Sequence, residues 1–411
     1  MSARDFLTDF TNMSAFGATN GGGIDRQAGT KDDLAVRAWL RDVFADLGLT
    51  EHVDEIGNQF GLKEVIAGAP FVLVGSHLDS QPMGGKYDGS YGVLAAAHAV
   101  AGVAQKIDNG ELIPTVNLAV VNWFNEEGSR FSPSMMGSSV YTGKIDLADA
   151  LAITDHDGVT VAQALGAEQG AHHGWAPEAA SYAEIHIEQG PVLERSGNTI
   201  GLVDTTWGAK KYRVTITGDQ GHTGATPMNQ RKDALYGAAK FIVAAREIIE
   251  QFPDGVLHTA VSTLDLFPNS PVTYAGEVTI NLDLRSADTE VLDQAEALLA
   301  KERERIAEVA QVEIAQELTH QWGLMPYQPE GLELAEKVAR DLGQPFQFIK
   351  TVAGHDSTNM KDLVPTVMLF VPSQDGYSHN EKEFTTHTDM IAGVEMLTGV
   401  VTKLVAGELV G

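Results

Sequence analysis

Four apolar runs in this chain stop at histidines or acids, and that repetition narrows the possible folds more than any other feature. Residues 71–80 read FVLVGSHLDS, an apolar β-type run that gives way to His77 and Asp79. Residues 115–124 lead directly into Asn125-Glu126-Glu127-Gly128. The alternating run 181–187 carries His186 and continues into Glu188-Gln189-Gly190-Pro191, and the apolar run 366–371 is followed by a loop containing His379. The first sixty residues read as helices, with helical apolar spacing over 34–47, and helical stretches such as the Ala-rich 92–103 separate the runs. This alternation predicts an α/β sandwich, three layers deep, with a mostly parallel sheet. In open α/β sheets ligands bind beyond the carboxyl ends of the strands, where these polar groups fall.

Between about residues 205 and 321 the pattern changes. Strands are expected at 211–218, 256–265 and 278–285, and helices at 231–252, after Pro227, and 289–309. Strand-helix-strand-strand-helix describes a compact inserted α+β unit. The division is therefore 1–205 with 322–411 as one discontinuous domain, and 206–321 as the insertion.

The chain has 411 residues and no cysteine, which excludes thiolate metal sites, disulfide scaffolds and cysteine nucleophiles together. Any metal must sit on imidazole and carboxylate, a set suited to zinc, manganese or cobalt. A net charge of -28 repels phosphate backbones and anionic membranes, so neither nucleic acid nor membrane is an expected partner. MSARDFLTDF carries charges where a signal peptide needs an apolar stretch. The longest mostly apolar run, 92–104, is interrupted by His98 and too short to span a bilayer. A cytoplasmic location is the default expectation.

His77 and Asp79 form His-x-Asp at a strand end, and Asp88 follows in a glycine-rich loop. A metal-bound imidazole usually gives its other N–H to a carboxylate, a part for which Asp79 is well spaced while Asp88 is free to ligate. A helix-capping loop beside a core histidine is the plain alternative. Glu126 and Glu127 repel each other unless a cation orders them, and their divergence lets one ligate while the other faces water as a general base. A solvated acidic turn is the alternative there. His186 and His379 complete two three-ligand sets that share one carboxylate, and a bridging Asp holds two cations close together.

GSHLDSQPMGGKYDG, NWFNEEGSRF, HIEQGPVLE, GHTGATPM, AGHDSTNM and FVPSQDGYSHNE occur in this order. With these segments the chain resembles the dizinc amidohydrolases of the N-carbamoyl-L-amino acid hydrolase, β-ureidopropionase and allantoate amidohydrolase group, within the aminoacylase and metallocarboxypeptidase clan. The resemblance runs from about Asp5 to Leu404. It implies two divalent ions per subunit, with zinc first and manganese or cobalt as alternatives. His77, Asp88 and His186 would hold one ion; Asp88, Glu127 and His379 the other. Glu126 would be general base and acid, with Asp79 beside it in the catalytic group.

The resemblance further implies that Gln189 contacts substrate near the metals. His222 would come from the inserted domain of a partner subunit and polarise the scissile carbonyl. Arg285 would grip a substrate carboxylate, with Gly354 and His355 lining that pocket, and the insertion would be a dimerisation and lid domain. Guanidinium suits such an anchor because it binds carboxylate through two parallel hydrogen bonds; a surface salt bridge on a strand is the alternative. In PNSPVTYAGEV, Asn269 is present but Val272 stands where the group usually has a second Asn. That replacement points to a substrate offering less hydrogen bonding there, or to a rearranged pocket. The expected reaction is hydrolysis of an N-carbamoyl amino acid to amino acid, ammonia and carbon dioxide. Allantoate, another N-acyl amino acid or a dipeptide are the alternatives, and a silent binding protein on the same scaffold is a rival of another class.

Overall fold

The structure is a computed structural model that describes residues 4–166 and 174–409. The first three residues of the charged N-terminal stretch lie outside the described part. Two compact units result, Met1–Asp204 with Tyr327–Gly411, and Thr205–Pro326.

The first unit is built on a sheet whose centre is parallel. In order across it lie Thr50–Val53, Gln59–Lys63, Asn117–Trp123, Phe71–His77, Ala179–Ile187, Thr366–Val371 and Ile200–Thr206. Asn117–Trp123, Phe71–His77, Ala179–Ile187 and Thr366–Val371 are mutually parallel, so their carboxyl ends open on the same edge. The antiparallel partners lie outside them. Every residue of Phe71–His77, Asn117–Trp123 and Thr366–Val371 is buried, as expected of strands covered on both faces.

Period-two alternation divides those side chains between two cores. Val72, Val74, Leu118, Val120 and Leu369 face the helices Ser90–Asp108 and His387–Val405. Leu73, Ala119, Val121 and Tyr182 join Trp123 and Met360 on the other face. Burying each such side chain stabilises the fold by about 1.5–3 kcal/mol. The early part of the chain departs from expectation. Besides helices Phe6–Met13 and Lys31–Asp46 it forms a hairpin of Thr50–Val53 on Gln59–Lys63.

The second unit is a five-stranded antiparallel sheet with helices Ala234–Glu247 and Thr289–Ala310 on one face. Glu277–Ser286 alternates cleanly: Val278, Ile280, Leu282 and Leu284 enter the core, and Thr279, Asn281, Asp283 and Arg285 stand on the opposite face. The expected strand 256–265 is two strands, Leu257–Ala260 and Leu264–Phe267. It breaks where the Asn281 side chain takes the Ser262 and Thr263 N–H groups at 2.9 and 2.6 Å, in place of ladder bonds. The helix expected from residue 231 begins at Ala234, because the Asp233 carboxylate caps the Leu235 and Tyr236 amides. Among the described residues, no helix is long and apolar enough to cross a membrane.

Candidate metal centre

The parallel strands deliver the first unit's predicted ligands to one place. His77 is the last residue of its strand, His186 the penultimate residue of its own, and Asp88 stands just before helix Ser90–Asp108. Glu127 and His379 follow the ends of Asn117–Trp123 and Thr366–Val371. Asp88 turns its two oxygens to different neighbours. Oδ1 lies 3.0 Å from His186 Nε2 and 3.5 Å from His77 Nε2, while Oδ2 lies 3.4 Å from His379 Nε2. His379 Nε2 is also 3.2 Å from Glu127 Oε2.

These spacings suit cations. Tetrahedral ligands about 2.0–2.2 Å from a zinc-sized ion stand about 3.3 Å from one another. His77-Asp88-His186 and Asp88-Glu127-His379 each bring three ligand atoms within 4.8 Å. Among the described residues, every ion-pair partner of Asp88, Glu126 and Glu127 is a histidine. The imidazoles are oriented for the task. His186 gives its Nδ1 to the Ile187 carbonyl at 2.9 Å, and His77 Nδ1 faces the Asp79 carbonyl at 3.0 Å, leaving Nε2 toward Asp88 in both.

Asp79 therefore serves His77 through its main chain. Its carboxylate, 3.7 Å from His77 Nδ1, instead accepts from the Glu126 and Glu127 amides at 3.1 and 3.3 Å. The side chain predicted to steady an imidazole thus steadies the two glutamates in its place. Glu126 is buried, with Oε2 3.4 Å from His77 Nε2, yet it belongs to neither ligand set. Burial, reinforced by Asp356, Glu127 and Asp79, holds its carboxyl well above the usual range despite His77. Burial likewise pushes Asp79 up to about 7. Against burial, His186 and His77 hold Asp88 well below its ordinary value.

Backbone conformation supports the same edge. Asn125, Met135, Gln189 and His379 all have positive φ, between 52° and 59°. Such residues cost about 1–3 kcal/mol each and collect at functional sites. Gly89, at φ 58°, has a more specific reason: a Cβ there would fall 2.3–2.4 Å from three atoms of the His77 ring.

With this geometry in hand, comparison with known proteins is decisive. Residues 73–403 match the model of Peptidase family M20/M25/M40. The chain belongs to that family. A Mycolicibacterium smegmatis protein described as a hydrolase is 50% identical over 415 residues, covering 99% of this chain and 94% of its own. The N-carbamoyl-L-amino acid amidohydrolase of Geobacillus stearothermophilus is 33% identical, covering 96% and 97% respectively. Other relatives of similar extent are named allantoate amidohydrolases. The crystal structure of a hydantoinase/carbamoylase family amidase from Burkholderia vietnamiensis superposes with a TM-score of 0.91 at 32% identity, covering 98% of this chain and 97% of that one.

Within this M20/M25/M40 chain the remaining predicted residues fall in two places. Gln189 is in the first unit and donates its amide to Asp88 Oδ2 at 2.8 Å and Ser378 Oγ at 2.9 Å. The His355 ring packs against His186 with centroids 4.6 Å apart and planes tilted by 58°, and Gly354 lies against Met135. His222 and Arg285 belong to the second unit. His222 lies exposed on the two-residue strand Gly221–His222, beside Thr273–Tyr274. Its Nδ1 accepts from the Gly224 and Ala225 amides, both at 3.0 Å, which places the ring proton on Nε2, a donor with no hydrogen-bond partner among the described residues. Arg285 is bound along its strand to Asp283, with Nη2 at 2.8 Å and Nε at 3.1 Å from Oδ2.

Several participants escaped sequence reading. Ser378 donates to Asp88 Oδ2 at 3.1 Å, and Glu383 accepts from the Tyr87 and Asp88 amides at 2.9 and 3.0 Å. Behind the ligands, Glu184 accepts from Ser76 Oγ at 2.9 Å and the Ser357 amide at 2.8 Å, and buried Asp356 accepts from Ser138. Glu184 had one visible signal: it lies two residues before His186 in an alternating strand and so shares its face.

Proposed function

We propose that this protein hydrolyses the linear C–N bond of N-carbamoyl (ureido) amino acids, giving amino acid, ammonia and carbon dioxide. The observation that carries the reading is Glu126, a buried carboxylate beside both ligand sets and a member of neither. His77, Asp88 and His186 would hold one divalent ion and Asp88, Glu127 and His379 another, zinc foremost, with manganese or cobalt as alternatives. Such ions supply positive charge that polarises a carbonyl and acidifies water.

The chain's own groups then divide the work. Glu126 takes a proton from the attacking water and holds it through the addition step. Asp79 keeps Glu126 and Glu127 in place through their amides. As the bond to the amino acid nitrogen breaks, Glu126 returns the proton to that nitrogen. The carbamic acid left behind falls to ammonia and carbon dioxide. His222, with its Nε2–H free, donates to the developing oxyanion. We infer that it does so in a partner subunit's site, the inserted unit being the dimerisation and lid domain. Arg285 exchanges Asp283 for the substrate carboxylate, and Gln189, Gly354 and His355 line the pocket. A cytoplasmic enzyme acting on a small carboxylate-bearing molecule completes the reading.

Allantoate is the second reading, favoured by relatives of that name. A screen after zinc, manganese or cobalt loading tests both. It follows ammonia release from N-carbamoyl-L- and D-amino acids, N-carbamoyl-β-alanine and allantoate, with dipeptides followed as free amino acid. Turnover of an N-carbamoyl-L-amino acid is expected; turnover of dipeptides alone would reject the ureido reading.

A further inference from the structure

The loop that carries His379 does more than present one ligand. It follows Thr366–Val371 and reaches back over the Asp88 loop at three points. Ser378 Oγ meets Asp88 Oδ2, Phe384 packs edge-on against Tyr87 at 5.9 Å, and Glu383 enters the interior between them. Glu381 ties the same segment to Thr19 in the N-terminal part of the chain.

Glu383 is the element with the most pointed geometry. It is 4% exposed, and Oε1 accepts from two consecutive amides, Tyr87 and Asp88. Among the described residues Oε2 has no hydrogen-bond partner. The carboxylate also fills the space above Gly85, where any Cβ would come within 2.0–2.3 Å of its atoms. Gly85 therefore leaves room for this one side chain, and the chain bends at residues 84–89 around it. One acceptor oxygen thus links the loop bearing the shared ligand to the loop bearing His379, across 296 and 295 positions of sequence.

We propose that Glu383 is a positioning residue for Asp88, holding the shared carboxylate in register with His379 so that both ligand sets close. This rests on the two-metal reading above and adds to it a residue that touches no ion. Its part is to accept two N–H groups, which fixes the direction in which the Asp88 side chain leaves the main chain. A residue that only filled the space above Gly85 would be replaceable by any side chain of similar size. A positioning acceptor would not.

The test separates these with Glu383→Gln, which keeps size and acceptor, and Glu383→Met, which keeps size alone. Full-length protein is stripped, and zinc is titrated against a chromogenic chelator, with elemental analysis giving ions per subunit. The weaker of the two zinc affinities should fall about 10–100-fold in the Met variant, the range for removing an outer partner of a metal ligand. The Gln variant should stay close to the wild type. Equal affinities in the two variants, at any level, overturn the proposal. Should the Met variant fail to fold, Glu383→Asp withdraws the acceptor by one methylene; a folded Asp variant is expected to lose affinity, and wild-type affinity in it overturns the proposal. Wild-type protein holding fewer than two zinc ions would overturn the two-metal reading and this inference together. Wild-type stoichiometry with equal variants would overturn this inference alone.

Discussion

Replacing Gly89 by Ala offers the sharpest check on how the chain builds its first ligand set. Gly89 lies at φ 58°, and alanine in that left-handed region costs about 1–2 kcal/mol. The larger effect is steric. The new methyl would stand 2.3–2.4 Å from Cε1, Nε2 and Nδ1 of His77, whereas ordinary contacts lie near 3.5–4.0 Å. The ring must therefore withdraw by roughly 1 Å, while metal–ligand distances tolerate only about 0.2 Å. His77 serves only the set with Asp88 and His186, so the set with Glu127 and His379 should survive. We expect elemental analysis to find the second ion retained and the first lost. Thermal melting should show a folded protein lowered by a few degrees, and kcat should fall at least about 100-fold, as for a misplacement of this size. A variant with two tightly bound ions and normal kcat would refute the reasoning about the His77 ring.

Glu126→Gln should reduce kcat by about 10²–10⁴-fold while leaving about two ions per subunit, since Glu126 ligates neither; an ion lost with the activity would make it a ligand instead. His222→Ala should cripple turnover with both ions bound, and mixing it with Glu126→Gln subunits should restore part of the activity. Verified mixed dimers without recovery would return His222 to its own subunit. Arg285→Ala should raise KM for carboxylate-bearing substrates more than it lowers kcat, and Asp283→Asn, which releases the guanidinium, should lower KM. An unchanged KM in both removes Arg285 from the pocket.

The five candidate ligands were legible because a parallel sheet makes a one-dimensional signal out of a three-dimensional site. His77, Glu127, His186 and His379 lie at or beyond the ends of buried strands whose parallel pairing places those ends together, and Asp88 follows His77 in the next loop. What was not legible depends on loops meeting across the chain. Glu383 has no periodicity or strand end to mark it, only a carboxylate four residues after His379, and its meaning lies in two amides near residue 88. Asp79 was marked for its carboxylate, but the direction in which that carboxylate points is set by the turn after Trp123. The hairpin at Thr50–Val53 and Gln59–Lys63 was passed over because its strands are four and five residues long, too short for alternation to stand out against neighbouring helices. The run 256–265 looked continuous because a side chain, Asn281, interrupts it from another strand.

The two faces of Asp88 have a consequence for how ion binding can be dissected. With one carboxylate common to both sets, occupancy of either by an ion would alter the partner charge seen by the other, and linkage requires that influence to be mutual. A substitution at Asp88 therefore reports on a pair and cannot be assigned to either member. His186 and His379 each belong to one set alone, so they are the handles by which the two affinities become separable quantities.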